Sequence, residues 1–204
     1  MTATIYRIGL TGNIGSGKSE VATLLRSAGI CVVDLDEIGR RITEIPEIQK
    51  KIVAIFGARA VSDGQMDRSH LREVIFSDPT KRQELERLLH PIIWKQFETE
   101  AEKLSRAGYK LVVCEAALLF ESGIDKLLDA VIVVAANEQI RQDRLLVRDG
   151  MTPVQFSQIA QAQISDDDKL QRAHYIIDNS GSIEALRPQI TSLINRWRSS
   201  GYLS

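Results

Sequence analysis

The stretch GLTGNIGSGKSEV, residues 9–21, concentrates the side chains and backbone most able to do chemistry. Gly12, Gly15 and Gly17 fall within six residues, directly before Lys18 and Ser19. Glycine loses more conformational freedom on folding than any other residue, so such a cluster needs a backbone reason. From Gly12 to Ser19 the string fits G-x-x-x-x-G-K-[ST], a loop whose successive N–H groups surround phosphate oxygens at a helix N-terminus. In that chemistry Lys18 reaches the β- and γ-phosphates and the Ser19 hydroxyl ligates Mg²⁺. The bland alternative is a glycine-rich turn with an incidental lysine. The expected nucleotide-binding set is therefore Gly12, Asn13, Ile14, Gly15, Ser16, Gly17, Lys18, Ser19 and Glu20.

Two further clusters bear on the reaction. In VVDLD, Val32–Asp36, strand alternation would put Asp34 and Asp36 on one side at the carboxyl end of a strand, where α/β folds bind ligands. A carboxylate there accepts a proton from an attacking hydroxyl or holds Mg²⁺ through water; alternatively it caps the next helix. Arg141, Arg144 and Arg148 recur at i, i+3 and i+7. Such a stripe either clamps a transferring phosphoryl group or forms a solvated face paired with Glu138, Asp143 and Asp149. The chain lacks the Asn-Lys-x-Asp string of a guanine-specific switch.

These residues need a scaffold. Apolar runs recur at 5–10, 30–35, 110–117, 130–136 and 175–179, most of them continuous, as in strands covered on both faces. Helical patterns separate them, which implies a parallel sheet with helices on both sides. The phosphate-loop string then lies between a strand and a helix with Val21, Leu24, Leu25 and Ala28 on one face, the context that confirms it. The crossover from about Glu37 to Gly108 is too long for one helix and reads as PEIQKKIVAIFG, a helix capped by Asp67, and a long one broken or kinked near His90 by Pro91. After the fourth strand, Asn137 should cap one helix, and Thr152, Pro153 and Gln155 should open another with a capping box. A terminal helix follows, bent or delayed by Pro188.

Composition excludes other classes. A net charge of −1 and a pI near 6.3 argue against a nucleic-acid or anionic-membrane partner. No apolar run is long enough to span a bilayer, and the first residues do not form a secretory signal, so the cytoplasm is expected. Cys31 and Cys114 sit in apolar runs and read as buried thiols, not as metal ligands.

Taken together, GLTGNIGSGKS, VVDLDEIGRR, LLHPII, LLFESG, RLLVRDG and AHYIIDNSGS resemble the dephospho-coenzyme A kinase family over essentially the whole chain. The resemblance implies a three-layer α/β fold of the P-loop nucleoside triphosphate hydrolase type, with a five-stranded parallel sheet, a helical insertion and a lid. It implies a nucleotide-binding core at 1–36, 109–140 and 166–204, a helical acceptor region at 37–108 and a lid at 141–165. ATP would be the donor, Mg²⁺ the metal and dephospho-coenzyme A the acceptor, phosphorylated on its ribose 3′-hydroxyl by a monomer or small homo-oligomer. Asp36 would accept the proton, with Asp34 supporting it or joining Ser19 at the metal. Lys18, Arg144 and Arg148 would act on the phosphates, and Asn179 would line the adenine. His90, which by itself reads as a structural histidine, would join Leu118, Leu119, Phe120 and Glu121 at the acceptor site. Three positions depart from the family pattern: Glu115 stands for Asp, Ala117 for Pro and Glu20 for Thr. A kinase for another small metabolite and a slowly hydrolysing regulatory protein are the rival readings.

Overall fold

The computed structural model describes residues 5–62 and 64–203. Its elements run β1 (Tyr6–Thr11), α1 (Lys18–Ser27), β2 (Val32–Asp34), α2 (Leu35–Thr43), α3 (Pro46–Phe56), β3 (Val61–Ser62), β4 (Gln65–Met66), α4 (Arg68–Ser77) and α5 (Pro79–Arg106). Then follow β5 (Leu111–Glu115), β6 (Ala130–Ala135), α6 (Glu138–Asp149), α7 (Pro153–Gln161), α8 (Asp166–Gln171), β7 (Tyr175–Asp178) and α9 (Ile183–Ser199). The chain divides into two compact units, one built from residues up to Asp34 and from Ala101 onward, the other from Leu35–Glu100.

The first unit is built on a five-stranded parallel sheet in the order β2-β5-β1-β6-β7. Its central strands are mostly apolar because both faces are covered: all five residues of β5 are buried, and five of six in β6. One face, including Ile8, Leu10 and Ile132, packs against α1 and α9 in a single apolar cluster with Leu25, Ile190 and Trp197. On the other face Leu119 and Leu128 come so near Gly9 that an added Cβ would stand 2.5 and 2.8 Å from their methyls. The outer strands depart from the expected pattern. β7 alternates, with Ile177 buried and Ile176 54% exposed, and no residue of β2 is fully buried. An edge strand has a neighbour on one side only, so its second face is thinly covered.

The second unit is helical, with Ile38, Ile42, Ile48, Ile52, Phe56 and Leu71 in its interior. It contains two elements the sequence reading lacked, the helix α2 and the two-residue antiparallel hairpin β3-β4. Asp67 caps α4 by accepting from the His70 N–H at 2.9 Å, as its position predicts. The break considered near Pro91 is a correction: α5 continues unbroken from Pro79 to Arg106. Terminal helix α9 likewise starts at Ile183 and runs through Pro188 with no delay. Pro91 and Pro188 are both exposed, as are Arg87 and Glu184, whose carbonyls lose the N–H partner four residues later. At exposed positions solvent can take the place of the lost donor, so neither helix needs to stop.

The cost of that arrangement is measurable. Pro91→Ala restores a backbone donor at an exposed position of α5. We expect it to raise unfolding free energy by about 2 kcal/mol, the helix-interior penalty of about 3 kcal/mol less about 1 kcal/mol for proline's restriction of the unfolded chain. Thermal melting reads this directly; a lower midpoint would show that Pro91 has a packing role.

Candidate active site

The carboxyl ends of β1, β5, β6 and β7 carry the residues that form the site. The sheet order sends the chain from β1 outward to β2 on one side, while β6 and β7 lie on the other, and such a reversal opens a crevice at the strand ends. The phosphate-loop string fills it directly after β1. Gly17 is the N-cap of α1 with φ 85°, a left-handed conformation in which a side chain is strained. A Cβ there would also collide with the Asn179 amide nitrogen. At Gly12 the reason is proximity, since a Cβ would meet Ser16 Oγ and the Val134 carbonyl at 2.5 Å each.

Lys18 and Ser19 converge on Glu115, the last residue of β5. Lys18 Nζ lies 3.1 Å from Glu115 Oε1, and Ser19 Oγ donates to the same oxygen at 3.3 Å. Arg26 reaches the other oxygen, Oε2, at 3.3 Å. Glu115 is only 3% exposed, so two cations offset a carboxylate almost removed from water. Asp34 is its register partner across the β2–β5 pair, which sets a second carboxylate at the same level of the sheet.

Asp36 does not continue that strand. β2 ends at Asp34 and α2 begins at Leu35, so the two-residue alternation expected to align the aspartates stops between them. Asp36 is exposed in the first turn of α2, in the helical unit. His90 belongs to the same unit, half-buried on α5; burial pushes its imidazole below the ordinary value while the Glu86 charge opposes the shift.

Several loop atoms already have partners. The Ile14 N–H donates to Gln163 Oε1 at 2.9 Å, and the Ser16 N–H to the Asn13 carbonyl at 3.0 Å. Asn13, 7% exposed, donates its amide to Asp166 Oδ1 at 2.8 Å and to the Ile164 carbonyl at 3.2 Å. Gly15 abuts the backbone of α6 at Arg141, and Glu20 is exposed in the first turn of α1. Asn179, also 7% exposed, donates Nδ2 to the Ser16 carbonyl at 2.8 Å while its backbone N–H holds the Ala135 carbonyl. Its side chain thus braces the loop from the end of β7.

The arginine stripe splits three ways, matching neither uniform reading. Arg141 is 3% exposed and pairs with Asp166 Oδ2 at 2.6 Å. Arg144 donates to the Gly181 carbonyl at 3.4 Å and lies against Gly17; its other terminal nitrogen is buried with no partner among the described residues. Arg148 points outward and forms a two-pronged pair with Asp149, at 2.9 and 2.7 Å. Of the LLFE segment, Leu119 and Phe120 are core residues and Leu118 is exposed. The Glu121 carboxylate sits 3.0 Å from Lys169 Nζ, a lysine with no exposed surface, and accepts the Ile164 N–H at 2.9 Å. Burial pushes the Lys169 ammonium below its ordinary value, with Glu121 opposing.

Arg26, Gln163, Asp166 and Lys169 are site-adjacent residues that local sequence patterns did not single out. Cys114 is buried and its thiol is pushed up to about 12 by desolvation; Cys31 is partly buried, and both are unbridged. Among the described residues no group of three or more His, Cys, Asp and Glu forms a metal cage, and no helix is long and apolar enough to cross a membrane.

A parallel sheet whose first strand runs into a phosphate loop, with a buried strand-end carboxylate facing the loop lysine, defines the P-loop class of nucleotide-binding folds. Within that class the chain belongs to the dephospho-CoA kinase family, whose pattern it matches over residues 6–185. A dephospho-CoA kinase from Syntrophotalea carbinolica is 41% identical over 192 residues, covering 93% of this chain and 90% of that protein. The crystal structure of TT1252 from Thermus thermophilus superposes with a TM-score of 0.83 at 35% identity, over 94% of this chain and 97% of that one. A dephospho-CoA kinase from Campylobacter jejuni gives 0.70 at 25% identity, over 97% and 98%.

Proposed function

We propose that this protein transfers the γ-phosphoryl group of ATP to the ribose 3′-hydroxyl of dephospho-coenzyme A, giving coenzyme A and ADP. The acceptor oxygen forms a bond to the γ-phosphorus, the bond to the β-bridging oxygen breaks, and the hydroxyl proton passes to Asp36. The observation that supports this most is the convergence of Lys18 and Ser19 on Glu115 at the sheet end in a chain of this family. Phosphoryl transfer asks the protein mainly for position and positive charge. Loop amides and Lys18 hold the triphosphate, and Lys18 moves from Glu115 to its oxygens. Arg144 supplies further charge, its buried unpartnered nitrogen being suited to an anion. Arg148 joins only after leaving Asp149.

Mg²⁺ fits the donor set, because Ser19 Oγ with the Asp34 and Glu115 carboxylates are hard oxygen donors, and Mg²⁺ commonly takes few protein ligands beside phosphates. When bound it would neutralise charge on the phosphate oxygens. Glu115, a methylene longer than the family's aspartate, already reaches the Ser19 hydroxyl. We assign residues 37–108, His90 among them, to acceptor binding and 141–165 to a lid. Asn179 would meet the adenine with atoms other than the amide nitrogen that braces the loop. The weakly acidic chain suits a small-molecule enzyme of the cytoplasm, a monomer or small homo-oligomer, without a nucleic-acid or membrane partner.

The test is ADP release by purified protein with ATP and Mg²⁺, with and without dephospho-coenzyme A, and phosphorus NMR of the product. Release that depends on this acceptor and yields a 3′-phosphomonoester is expected. Release raised instead by nucleosides would transfer the protein to another metabolite kinase, and slow release under every condition would make it a regulatory nucleotide binder.

A further inference from the structure

We infer that Asp166 is a positioning residue that ties the arginine-bearing helix α6 to the phosphate loop. One carboxylate makes both ends of the tie. Its Oδ1 accepts from Asn13 Nδ2 of the loop at 2.8 Å, and its Oδ2 takes Arg141 of α6 at 2.6 Å. The Arg141 end has no ready hydrogen-bonding substitute. Arg141 is 3% exposed, and its Nε and second terminal nitrogen have no partner among the described residues, so Asp166 carries its charge balance. Two further bonds fasten the same segment to the same turn, from the Ile14 N–H to Gln163 and from Asn13 to the Ile164 carbonyl. The segment is itself anchored, since Glu121 holds the Ile164 N–H and pairs with buried Lys169 of α8.

The consequence falls one turn along α6. Arg144 follows Arg141 by three residues, on the neighbouring position of the helix surface. Its buried, unpartnered nitrogen would be 3.9 Å from a Cβ placed on Gly17. Rotation or retreat of α6 would carry that nitrogen away from the loop. Asp166 therefore acts on the reaction through Arg144 and without touching the nucleotide. This inference rests on the phosphoryl-transfer reading above.

A double-mutant cycle on the full-length protein separates the tie from general stabilisation. Arg144→Met, Asp166→Asn and the double variant are assayed for kcat and the ATP KM, with folded fraction from calorimetry. Asp166→Asn is expected to lower kcat per folded molecule by about tenfold with the ATP KM changed less than about threefold, as for a misplaced catalytic group. Arg144→Met should then cost at least about fivefold less in the Asp166→Asn background than in the natural one, because coupled residues are non-additive. Asp129→Ala, which removes the side-chain acceptor of the Arg7 N–H at the far end of β1, lowers stability with kcat per folded molecule within about twofold. Equal costs of Arg144→Met in both backgrounds overturn the inference. If Asp166→Asn does not fold, Asn13→Ala cuts the loop end alone and the same cycle decides. If the natural protein hydrolyses ATP but does not phosphorylate dephospho-coenzyme A, the function reading fails, and the cycle run on hydrolysis still tests the tie.

Discussion

Asp36→Asn is expected to lower kcat by about 10²- to 10⁴-fold, the usual worth of a positioned general base, with ATP affinity changed less than about threefold. Asparagine keeps the size and one acceptor oxygen of aspartate but cannot take the proton released when the acceptor hydroxyl attacks phosphorus. ATP affinity is spared because the proposed triphosphate contacts come from loop amides and Lys18, while Asp36 lies in the first turn of α2. Steady-state kinetics with varied dephospho-coenzyme A, and ATP binding by calorimetry, make the separation. Turnover near the natural rate would remove Asp36 as the proton acceptor. Asp34→Asn would then be the variant to carry the loss, since Asp34 is the other candidate carboxylate, paired in register with Glu115.

The second large effect is expected at Lys18. Lys18→Met should reduce kcat/KM by about 10³-fold, as for loss of a preorganised group that stabilises transition-state charge. It should also reduce stability, because Glu115 is 3% exposed and would keep only Arg26 as its cationic partner. Removing one member of a buried pair costs about 3–5 kcal/mol when the remaining charge is isolated. Arg26 and the Ser19 hydroxyl keep that charge from being isolated and hold the loss to about 2 kcal/mol, below that range. The double variant Lys18→Met with Glu115→Gln carries no uncompensated carboxylate, so its melting midpoint should recover while its activity stays low. Recovery of activity in the double variant would mean that Lys18 serves only to neutralise Glu115.

The relation of residue pattern to structure differs between the two halves of the site. The phosphate loop was legible because its chemistry is local: Gly12 to Ser19 are consecutive, and the flanking apolar periods change from strand to helix where the loop requires it. Caps were legible for the same reason. Asn137 accepts from the Gln139 N–H and Thr152 forms its box with Gln155, each within three residues. Pro91 breaks no helix and Pro188 delays none, because a break depends on whether water can reach the freed carbonyl, and burial is not a local property. The alignment of Asp34 with Asp36 failed at a boundary, where one residue of difference exchanges a period of 2 for one of 3.6.

Amino-acid order alone determined the kinase family, the phosphate loop, the five parallel strands and most of the helices, since each is encoded by neighbours in the chain or by motifs spaced along it. Folding decided which charges meet. Lys18 finds Glu115 at a separation of 97 residues and Asn13 finds Asp166 at 153, while the three arginines of one helix go to three different environments. A carboxylate's partner is chosen by which strands pair and which side chains lose their water together, and those are properties of the packed sheet that no short stretch of sequence contains.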